Sequence, residues 1–405
     1  MQAVILAAGR STRTYPLTVR TPKALYEVAG HSIIELNLRA VEGLVDEAVI
    51  VVGFMGEKII RRLGSSYRGI RLRYVEQKEQ KGTGHALLCA ADKIAGEALV
   101  LMGDDLYRDE NFEELFEYPN AVLAQRVTDP DRFGVFTVEG DRVTGVHEKP
   151  ARFVSDLANT GCFKINADFL RLLTTLEPSE RGEIEMTGAA AKLAAEGKLN
   201  WVESNGGWYA IGYPWHLLEA NTRLIQDRPL QRFNVKARLL GDVHRCVTVN
   251  ILEDSWIGRG CILTDRVMIS RNCYLHPGVQ IMNRTTVGPN TQIAGGTQIG
   301  NCLIGANVQI GRRCLLTRCV IGDGATLGDA VTAFCDPPPD GKIYSTVKGE
   351  RVEVDLPKFG AVIGPDAYVA PMTVLMPGVK IAAGARTEFG EVVQGDKGEI
   401  WPESE

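Results

Sequence analysis

The sequence has 405 residues, a formal net charge of −5 at pH 7 and 45% hydrophobic residues. This length suffices for two or three domains with sizeable cores. The mild acidity argues against a nucleic-acid partner, which requires a basic face, and no run of 18 apolar residues predicts a membrane span. Because the chain opens on a strand pattern rather than a signal-peptide pattern, we expect a cytoplasmic protein.

The first 23 residues contain a buried strand followed by a loop of small and basic residues. Residues 3–6 are apolar, and Gly9 starts a loop that carries Arg13 and leads to Lys23. In an open α/β sheet, loops at the carboxyl ends of strands bind ligands, and their backbone N–H groups point at phosphate oxygens. Arg13 and Lys23 are therefore expected to place two cations on a polyphosphate.

Apolar runs alternate with helical patterns up to about residue 225. Residues 48–52 and 98–102 have the composition of buried strands, whereas residues 35–42 and 58–63 have helical periodicity. This alternation predicts an α/β domain with a mostly parallel sheet and helices on both faces. Asp104 follows the run 98–102, and a carboxylate at that edge of the sheet suits Mg²⁺ bound to phosphates.

A polar loop follows in the same domain. Gln77 and Gln80 precede a glycine turn at Gly82-Thr83, and His85 comes shortly afterwards. Two amides three positions apart, followed by backbone N–H groups, suit recognition of a nucleobase edge. We expect a nucleotide-binding loop here, and we expect His85 to pack or cap locally rather than act as a base.

Beyond Pro229, helical periodicity gives way to a six-residue rhythm, in which an apolar residue is followed by a small one, from Ile257-Gly258 to Ile381-Ala382. Such hexapeptide repeats predict a parallel β-helix whose coils bury their apolar residues against each other. We therefore predict two domains, residues 1–228 and 229–405. The repeat is interrupted over residues 332–358, which predicts an inserted loop.

The nine cysteines show no CxxC pair and fall mostly in apolar runs. Disulfide frameworks and zinc sites use paired, regularly spaced cysteines, so we predict reduced thiols. Cys302, Cys314 and Cys319 lie within the repeat, where we expect them to stack in the core.

The first motif resembles the signature LAAGxGTRMxPLTxxxPK of sugar-1-phosphate nucleotidyltransferases. The matching residues are Leu6-Ala7-Ala8-Gly9, Thr12-Arg13, Pro16-Leu17-Thr18 and Pro22-Lys23, and the departures are Ser11 and Thr14. The resemblance implies a Rossmann-like nucleotidyltransferase domain that uses Mg²⁺. It implies three groups of residues: nucleotide contacts from Leu6, Ala8 and Gly9, catalytic cations at Arg13 and Lys23, and a metal ligand at Asp104.

The amide loop resembles the QxxQxGTGHA stretch of N-acetylglucosamine-1-phosphate uridylyltransferases. This resemblance favours UTP, bound by Gln77, Gln80, Gly82 and Thr83. Three further segments, 131–134, 147–150 and 158–161, resemble the RFG, EKP and NTG motifs of the family. They imply that the sugar phosphate is bound by Gly134, Glu148, Lys149 and Asn159.

Two positions depart from the family. Gly188 ends a segment that resembles GEYxxTD, and Ala210 stands where the W-x-D-x-G motif carries the second metal-binding aspartate. Because a methyl group cannot bind Mg²⁺, three readings stay open: a slow enzyme or one with an altered metal requirement, an enzyme for another sugar phosphate, and a non-catalytic nucleotide-sugar-binding regulator.

The C-terminal repeats resemble the left-handed β-helix of archaeal-type bifunctional enzymes, which also acetylate glucosamine 1-phosphate with acetyl-CoA. Acetyl transfer needs a base, usually histidine, and the coil 311–316 where relatives carry it has none. His244 and His276 are the histidines of this domain, and we expect His276 to be a corner residue. We therefore expect the β-helix to drive assembly into a homo-oligomer, with a trimer favoured.

Overall fold

The computed structural model describes residues 1–108, 112–179, 182–226, 236–339 and 341–401. Contacts divide the chain into two units. The first comprises Met1–Arg10, Pro22–Leu25 and Ser32–Ala210, and the second comprises Ser11–Thr21, Tyr26–His31 and Ile211–Glu405. The predicted domain boundary at 228/229 lies outside the described residues.

Within the described part of the chain, the first unit is built on a ten-stranded mixed sheet. The strands, in sheet order, are Gly134–Glu139, Arg142–Glu148, Asn200–Glu203, Ala121–Arg126, Leu157–Ile165, Ala98–Met102, Gln2–Ala7, Glu47–Val52, Ile70–Glu76 and Ser66–Tyr67. Gln2–Ala7 runs parallel to both of its neighbours, Glu47–Val52 and Ala98–Met102. The three strands predicted from their apolar runs are thus adjacent at the centre of the sheet, where they are covered on both faces.

The helices of the first unit pack on this sheet. Those among the described residues are Ile33–Ala40, Gly56–Leu63, Thr83–Cys89, Phe112–Leu115, Ala167–Leu173 and Met186–Ala195. Both helices expected from periodicity form, but each begins two residues earlier than predicted. For the first of them the cause is a capping box, in which Ser32 accepts from the N–H of Glu35 and the Glu35 carboxylate accepts from the N–H of Ser32.

The second unit contains the helix Pro214–Leu224 and, among its described residues, three parallel sheets that form the faces of a left-handed β-helix. The strands are two or three residues long. The first face has Arg238–Leu239, Trp256–Ile257, Tyr274–Leu275, Gln292–Ile293, Gln309–Ile310, Thr326–Leu327 and Tyr368–Val369. The second has His244–Arg245, Ile262–Leu263, Gln280–Met282, Gln298–Gly300, Leu315–Thr317, Thr332–Ala333, Val374–Leu375 and Val392–Val393. The third has Asn250–Ile251, Met268–Ile269, Thr286–Val287, Leu303–Ile304, Val320–Ile321, Val362–Ile363 and Lys380–Ile381.

The apolar residue of each hexapeptide points into the prism, as predicted. Ile281, Ile299 and Leu316 follow one another on the second face and are fully buried. One corner carries a ladder of asparagine side chains, in which the amide of Asn272 donates to Asn290 at 3.2 Å and Asn290 donates to its counterpart one coil further on at 3.1 Å. These corner residues have positive φ, a conformation that asparagine tolerates better than most residues.

The interior also holds hydroxyl and thiol groups that bond to the backbone of the next coil. The Sγ atoms of Cys261 and Cys273 each lie 3.2 Å from a carbonyl oxygen of the next coil, and the hydroxyls of Thr291 and Thr297 make equivalent bonds at 3.0 and 2.7 Å. All nine cysteines are free thiols. Burial raises the pKa of Cys273 to about 11, so this thiol is neutral. Cys302, Cys314 and Cys319 are buried in the same interior, as expected.

The insertion into the β-helix is shorter at its start than the predicted loop. Thr332 and Ala333 pair with Val374 and Leu375 as part of the second face, because the chain completes that face before it leaves the prism. The segment that follows contains a β-hairpin of Tyr344–Val347 and Glu350–Glu353, and regular coiling resumes with Val362–Ile363. In neither unit does a described helix have the length and apolar character needed to cross a bilayer.

Candidate active site

The carboxyl ends of the three central strands lie side by side in the first unit. The N–H of Gly103 donates to the carbonyl of Leu6 at 2.8 Å, and the N–H of Phe54 donates to Ala8 at 3.1 Å. A side chain at Gly53 would meet the Ala8 carbonyl at 2.7 Å, whereas a side chain at Gly9 would meet no described atom within 4 Å. The predicted nucleotide residues Leu6, Ala8 and Gly9 therefore line an open sheet edge, as expected for ligand binding.

The amide loop lies beside this edge, but its two glutamines differ. Gln77 is only 3% exposed, and its amide nitrogen donates to the Gly82 carbonyl at 3.1 Å and lies 3.0 Å from His85 Nδ1. Gln80 is exposed, and its Nε2 would be 3.1 Å from a Cβ at Gly53. Gln80 thus faces the open edge, whereas the buried Gln77 holds the turn with its amide nitrogen. His85 packs locally, as predicted.

The glycine turn is anchored by the segment that resembles GEYxxTD. Ile184 accepts from the N–H of Gly84 at 2.8 Å and donates its own N–H to the Lys81 carbonyl at 2.8 Å, and Thr83 Oγ1 accepts from Met186 at 3.2 Å. This arrangement makes the two motifs one structure, although they are about 100 positions apart. The hydroxyl of Thr83 therefore supports the loop rather than pointing freely at a ligand.

Asp104 and Lys23 form an ion pair at the end of the strand Ala98–Met102. Lys23 Nζ lies 2.8 Å from Asp104 Oδ2, and the two side chains are 5% and 40% exposed. The ammonium is thus held in place by burial and by a carboxylate that remains open to ligands. A phosphate arriving here would meet a cation whose side-chain freedom is already restricted, which lowers the cost of ordering it.

The second carboxylate that the family uses is absent at Ala210. Tyr209 pairs with Leu106, so Ala210 follows at the position opposite Asp105, and its methyl group packs against the sheet's apolar core. Asp105 lies in a turn rather than on a strand, and its Oδ2 accepts from Trp208 Nε1 at 3.2 Å. Among the described residues, no three His, Cys, Asp or Glu side chains form a metal cluster. A cation at Asp104 would therefore need phosphate and water oxygens, which Mg²⁺ accepts.

Three of the predicted sugar-binding residues, Gly134, Glu148 and Asn159, lie close together on the side of the strand Ala98–Met102 that faces away from Gln2–Ala7. Gly134 pairs with Glu148, and a Cβ on Gly134 would lie 2.9 Å from Glu148 Oε2 and 3.9 Å from Asn159 Cβ. Asn159 Oδ1 accepts from the N–H of Gly161 at 2.9 Å. Gly161 has φ 74°, and a side chain there would collide with Met102. The backbone at Gly161 therefore lies directly against the strand Ala98–Met102, which leads to Asp104.

Lys149 and Gly188 complete the sugar side. Lys149 has φ 40°, and its N–H donates to the Phe133 carbonyl at 3.2 Å. Gly188 lines a cleft of about 220 Å³ together with Glu148 and Glu185. The residue that departs from the family thus lies beside a predicted sugar contact, where a missing side chain changes the shape of the cleft.

The second unit contains Arg13. Its guanidinium carbon lies 5.8 Å from the ring centroid of Tyr213. Ser11, which replaces the family's second glycine, has φ 52°, a left-handed conformation in which glycine carries no steric cost. The carbonyl of Ser11 accepts from the hydroxyls of Thr14 and Thr18 at 2.6 and 2.9 Å. The two departures are thus linked, because Thr14 supplies a hydrogen bond that holds the strained turn.

Sequence reasoning missed a cluster that supports Tyr213. Tyr213 stacks on Trp215 with ring centroids 4.6 Å apart, and Asp355 contacts both Trp215 and His216. Asp355 is about 140 positions from these partners, so no local pattern could have indicated the contact.

Comparison with known proteins identifies the class. A family model described as nucleotidyl transferase matches residues 2–227, and one described as GMPPB C-terminal domain matches residues 246–357. The bifunctional protein GlmU of Methanococcus vannielii is 34% identical over 398 residues, covering 95% of this chain and 92% of that protein. A bifunctional sugar-1-phosphate nucleotidylyltransferase/acetyltransferase of Sulfurisphaera tokodaii is 30% identical over 411 residues, covering 98% of both chains.

A solved structure is similar to part of the chain. The crystal structure of a putative glucose-1-phosphate thymidylyltransferase from Bacillus anthracis, in complex with a sucrose, superposes with a TM-score of 0.53 and 27% sequence identity. It covers 56% of this chain and 97% of its own.

The chain therefore belongs to the nucleotidyl transferase family. It is a sugar-1-phosphate nucleotidyltransferase whose catalytic unit precedes a left-handed β-helix, so the predicted family and fold class are confirmed. Enzymes of this family take a nucleoside triphosphate and a sugar phosphate as substrates and typically use a divalent metal ion.

Proposed function

We propose that this enzyme transfers UMP from UTP to N-acetylglucosamine 1-phosphate and releases pyrophosphate. The observation that carries the proposal is the Lys23–Asp104 pair, which lies at a sheet edge flanked by the nucleotide loop and by the Gly134–Glu148–Asn159 cluster. The relatives named GlmU, matched along nearly their whole length, support these substrates. The exposed amide of Gln80 supports recognition of the base.

The reaction needs positioned cations rather than a base. A phosphate oxygen of the sugar 1-phosphate attacks the α-phosphorus of UTP, and the bond from that phosphorus to the pyrophosphate oxygen breaks. The nucleophile is already an anion, so no proton has to be removed. In this proposal Lys23 neutralises the reacting phosphates and Arg13 stabilises the departing pyrophosphate.

We propose Mg²⁺ as the divalent metal ion, held by Asp104. When bound, it neutralises phosphate charge and orients the triphosphate. Because Ala210 offers no ligand, the protein supplies fewer carboxylate oxygens than the family pattern implies, and we expect weak metal affinity.

Release of pyrophosphate tests the proposal. The native enzyme is assayed with Mg²⁺, N-acetylglucosamine 1-phosphate and, in parallel, UTP, dTTP, CTP and GTP, and so is an Ala210→Asp variant. Turnover with UTP above the other nucleotides supports the proposal, and a lower Mg²⁺ requirement in the variant supports the metal assignment. If only the variant turns over, the native chain is a binding or regulatory protein. Turnover with other sugar phosphates instead would replace the acceptor.

A second activity, acetyl transfer from acetyl-CoA to an amino-sugar phosphate, is favoured by a cavity in the β-helix unit and by the relatives named bifunctional. The cavity has a volume of about 640 Å³ and lies between the inserted hairpin and the last coils. Within the described chain, Ser345 Oγ and Asp396 Oδ2 are buried without a hydrogen-bond partner, and both residues line this cavity.

Asp396 is the proton acceptor in this second proposal, in place of the histidine that the sequence lacks. Burial raises the pKa of its carboxyl, which makes it a better base than an exposed aspartate. Thiol release from acetyl-CoA with glucosamine 1-phosphate should fall at least 100-fold in Asp396→Asn and stay unchanged in Glu391→Gln, whose partner is Lys397. Absence of thiol release in the native chain would leave the β-helix an assembly domain.

We also propose a homotrimer. Exposed aromatic rings of Trp256 and Tyr274 lie next to each other on the first face, with centroids 6.3 Å apart. Aromatic residues are enriched at subunit contacts, and light scattering measures the mass of the assembly directly.

A further inference from the structure

Asp355, which follows the inserted hairpin, ties this segment to the helix Pro214–Leu224. Its Oδ1 accepts from Trp215 Nε1 at 2.5 Å, and its two oxygens lie 3.2 and 3.1 Å from His216 Nε2. Trp215 is fully buried and also meets the ring of Phe359 edge-on at 6.0 Å. One carboxylate therefore fixes the side chains of two successive residues at the start of the helix.

The imidazole of His216 links Asp355 to the backbone at Gly212. Its Nδ1 accepts from the N–H of Gly212 at 3.0 Å. A ring nitrogen that accepts has no proton of its own, so the ring N–H must be on Nε2 and point at Asp355. Asp355 thereby sets the tautomer of His216, and that tautomer is the one that holds the Gly212 peptide.

Gly212 is followed directly by the residue whose ring lies next to the guanidinium of Arg13. Tyr213 follows Gly212, stacks on Trp215 with an interplanar angle of 19°, and lies 5.8 Å from the guanidinium carbon of Arg13. A side chain at Gly212 would come within 3.9 Å of Arg13 Nη1. The contacts thus run without a gap from Asp355 through His216 and Tyr213 to Arg13, all within the second unit.

We infer that Asp355 is a positioning residue for nucleotidyl transfer, acting through His216 and Tyr213 on the guanidinium of Arg13. The inference rests on the proposed role of Arg13 at the departing pyrophosphate. It assigns the insertion of the β-helix a part in the nucleotidyl reaction. Without its anchor, the guanidinium would occupy more orientations, and small displacements of a catalytic group cost large factors in rate.

The test compares steady-state constants of the full chain with those of Asp355→Asn. We expect kcat to fall about tenfold and KM to rise for UTP and, in the reverse reaction, for pyrophosphate. KM for the sugar 1-phosphate should not change, because the predicted sugar contacts belong to the other unit. A variant that merely loosened the fold would change both sets of constants together, and this result would overturn the inference.

Asp336→Asn is the matched control. Asp336 is a second carboxylate of the insertion, but its ion-pair partner is Lys358, so its loss should leave all constants unchanged. His216→Phe, which keeps a ring but has no nitrogen to accept from Gly212 or donate to Asp355, provides a second way of breaking the same contacts if Asp355→Asn folds poorly, and it should reproduce the rise in KM for UTP and pyrophosphate.

A double-mutant cycle separates this inference from the proposed function. If Asp355 acts through Arg13, then Asp355→Asn should have no further effect in an Arg13→Ala background. An equal loss in both backgrounds would overturn the role of Asp355. Unchanged activity in Arg13→Ala alone would instead overturn the proposed role of Arg13, whatever Asp355→Asn does.

Discussion

The two units bring polar side chains together in different ways. In the α/β unit, parallel strands end at one edge. Ala8 and Gln80 therefore both lie beside Gly53, and Asp104 follows the neighbouring strand, although the three are far apart in sequence. In the β-helix, successive coils are nearly equivalent, and each coil places an apolar, hydroxyl or thiol side chain at the same interior positions. There the polar cavity and Asp355 both depend on the insertion that interrupts the coils. A parallel sheet creates a site through its topology, whereas a repeat has to be interrupted to obtain one.

The same contrast applies to hydrogen bonding. The carboxylates at the sheet edge have partners, since Asp104 holds Lys23 and Asp105 holds Trp208. In the part of the β-helix that the structure describes, Ser345 and Asp396 each bury an oxygen without one. We expect changes to the charged side chains at the sheet edge to affect catalysis more than folding, and changes to the apolar side chains inside the prism to affect folding more than catalysis.

The largest expected effect is that of Lys23→Ala on catalysis. Removing a cation that is held next to the reacting phosphates should lower kcat for pyrophosphate release by about 10²–10³-fold. The melting temperature should change less than the rate, because Asp104 is 40% exposed and its charge stays hydrated when the ion pair is lost. Lys198→Ala, which removes an exposed lysine paired with Glu196, serves as the control. A comparable loss in the control, or full activity in Lys23→Ala, would contradict the assignment.

The next effect is on folding of the prism. Ile299→Ala removes a fully buried side chain from the second face and should lower the free energy of unfolding by about 2–5 kcal/mol. Leu315→Ala removes a side chain that is 44% exposed on the same face, and it should cost well under half as much. Urea unfolding monitored by circular dichroism measures both variants. Equal costs would mean that Ile299 is not part of a close-packed interior.

The smallest effect concerns a buried cation near the end of the β-helix. Burial lowers the pKa of Lys380 to about 8, and its ammonium donates to the Thr346 carbonyl at 2.6 Å. Between pH 8 and the ordinary lysine pKa near 10.5, the unfolded chain binds more protons than the folded chain, so this lysine makes stability rise with pH. Below pH 8 both states are protonated, and the cost of the buried charge is constant.

Lys380→Met should remove this slope. The variant should gain stability relative to the native chain below pH 8, and the gain should shrink by roughly 3 kcal/mol as the pH approaches 10.5. Trp401, whose ring centroid is 5.1 Å from the ammonium, provides a local fluorescence signal. A difference between the two proteins that does not depend on pH would show that Lys380 has an ordinary pKa.

The sequence predicted what depends on short-range pattern. The apolar runs located the central strands, because a strand buried on both faces must be continuously apolar. The hexapeptide rhythm located the β-helix for a similar reason, since one interior residue per six has to fill the prism. The metal-site prediction at Asp104 followed from the same logic, since Asp104 comes directly after the strand Ala98–Met102, whereas the prediction for Gly134 came from the family resemblance.

What escaped prediction depends on contacts between distant segments. Three such contacts join residues that share no periodic pattern: the hydrogen bond from Gln77 within its own loop, the ion pair of Lys23 and the cluster around Asp355. The insertion also begins later than predicted, because Thr332 still pairs within the second face of the prism. Their side-chain types alone do not reveal which of several possible partners each residue meets.

The thiols buried inside the prism can report where the β-helix first opens. Cys261, Cys273 and Cys302 are fully shielded from solvent and carry no disulfide. A thiol-specific alkylating reagent reaches them only when the coils separate, so the order in which they become labelled reports where the prism opens first. Mass spectrometry after timed labelling would then distinguish unwinding from one end from simultaneous loss of all coils.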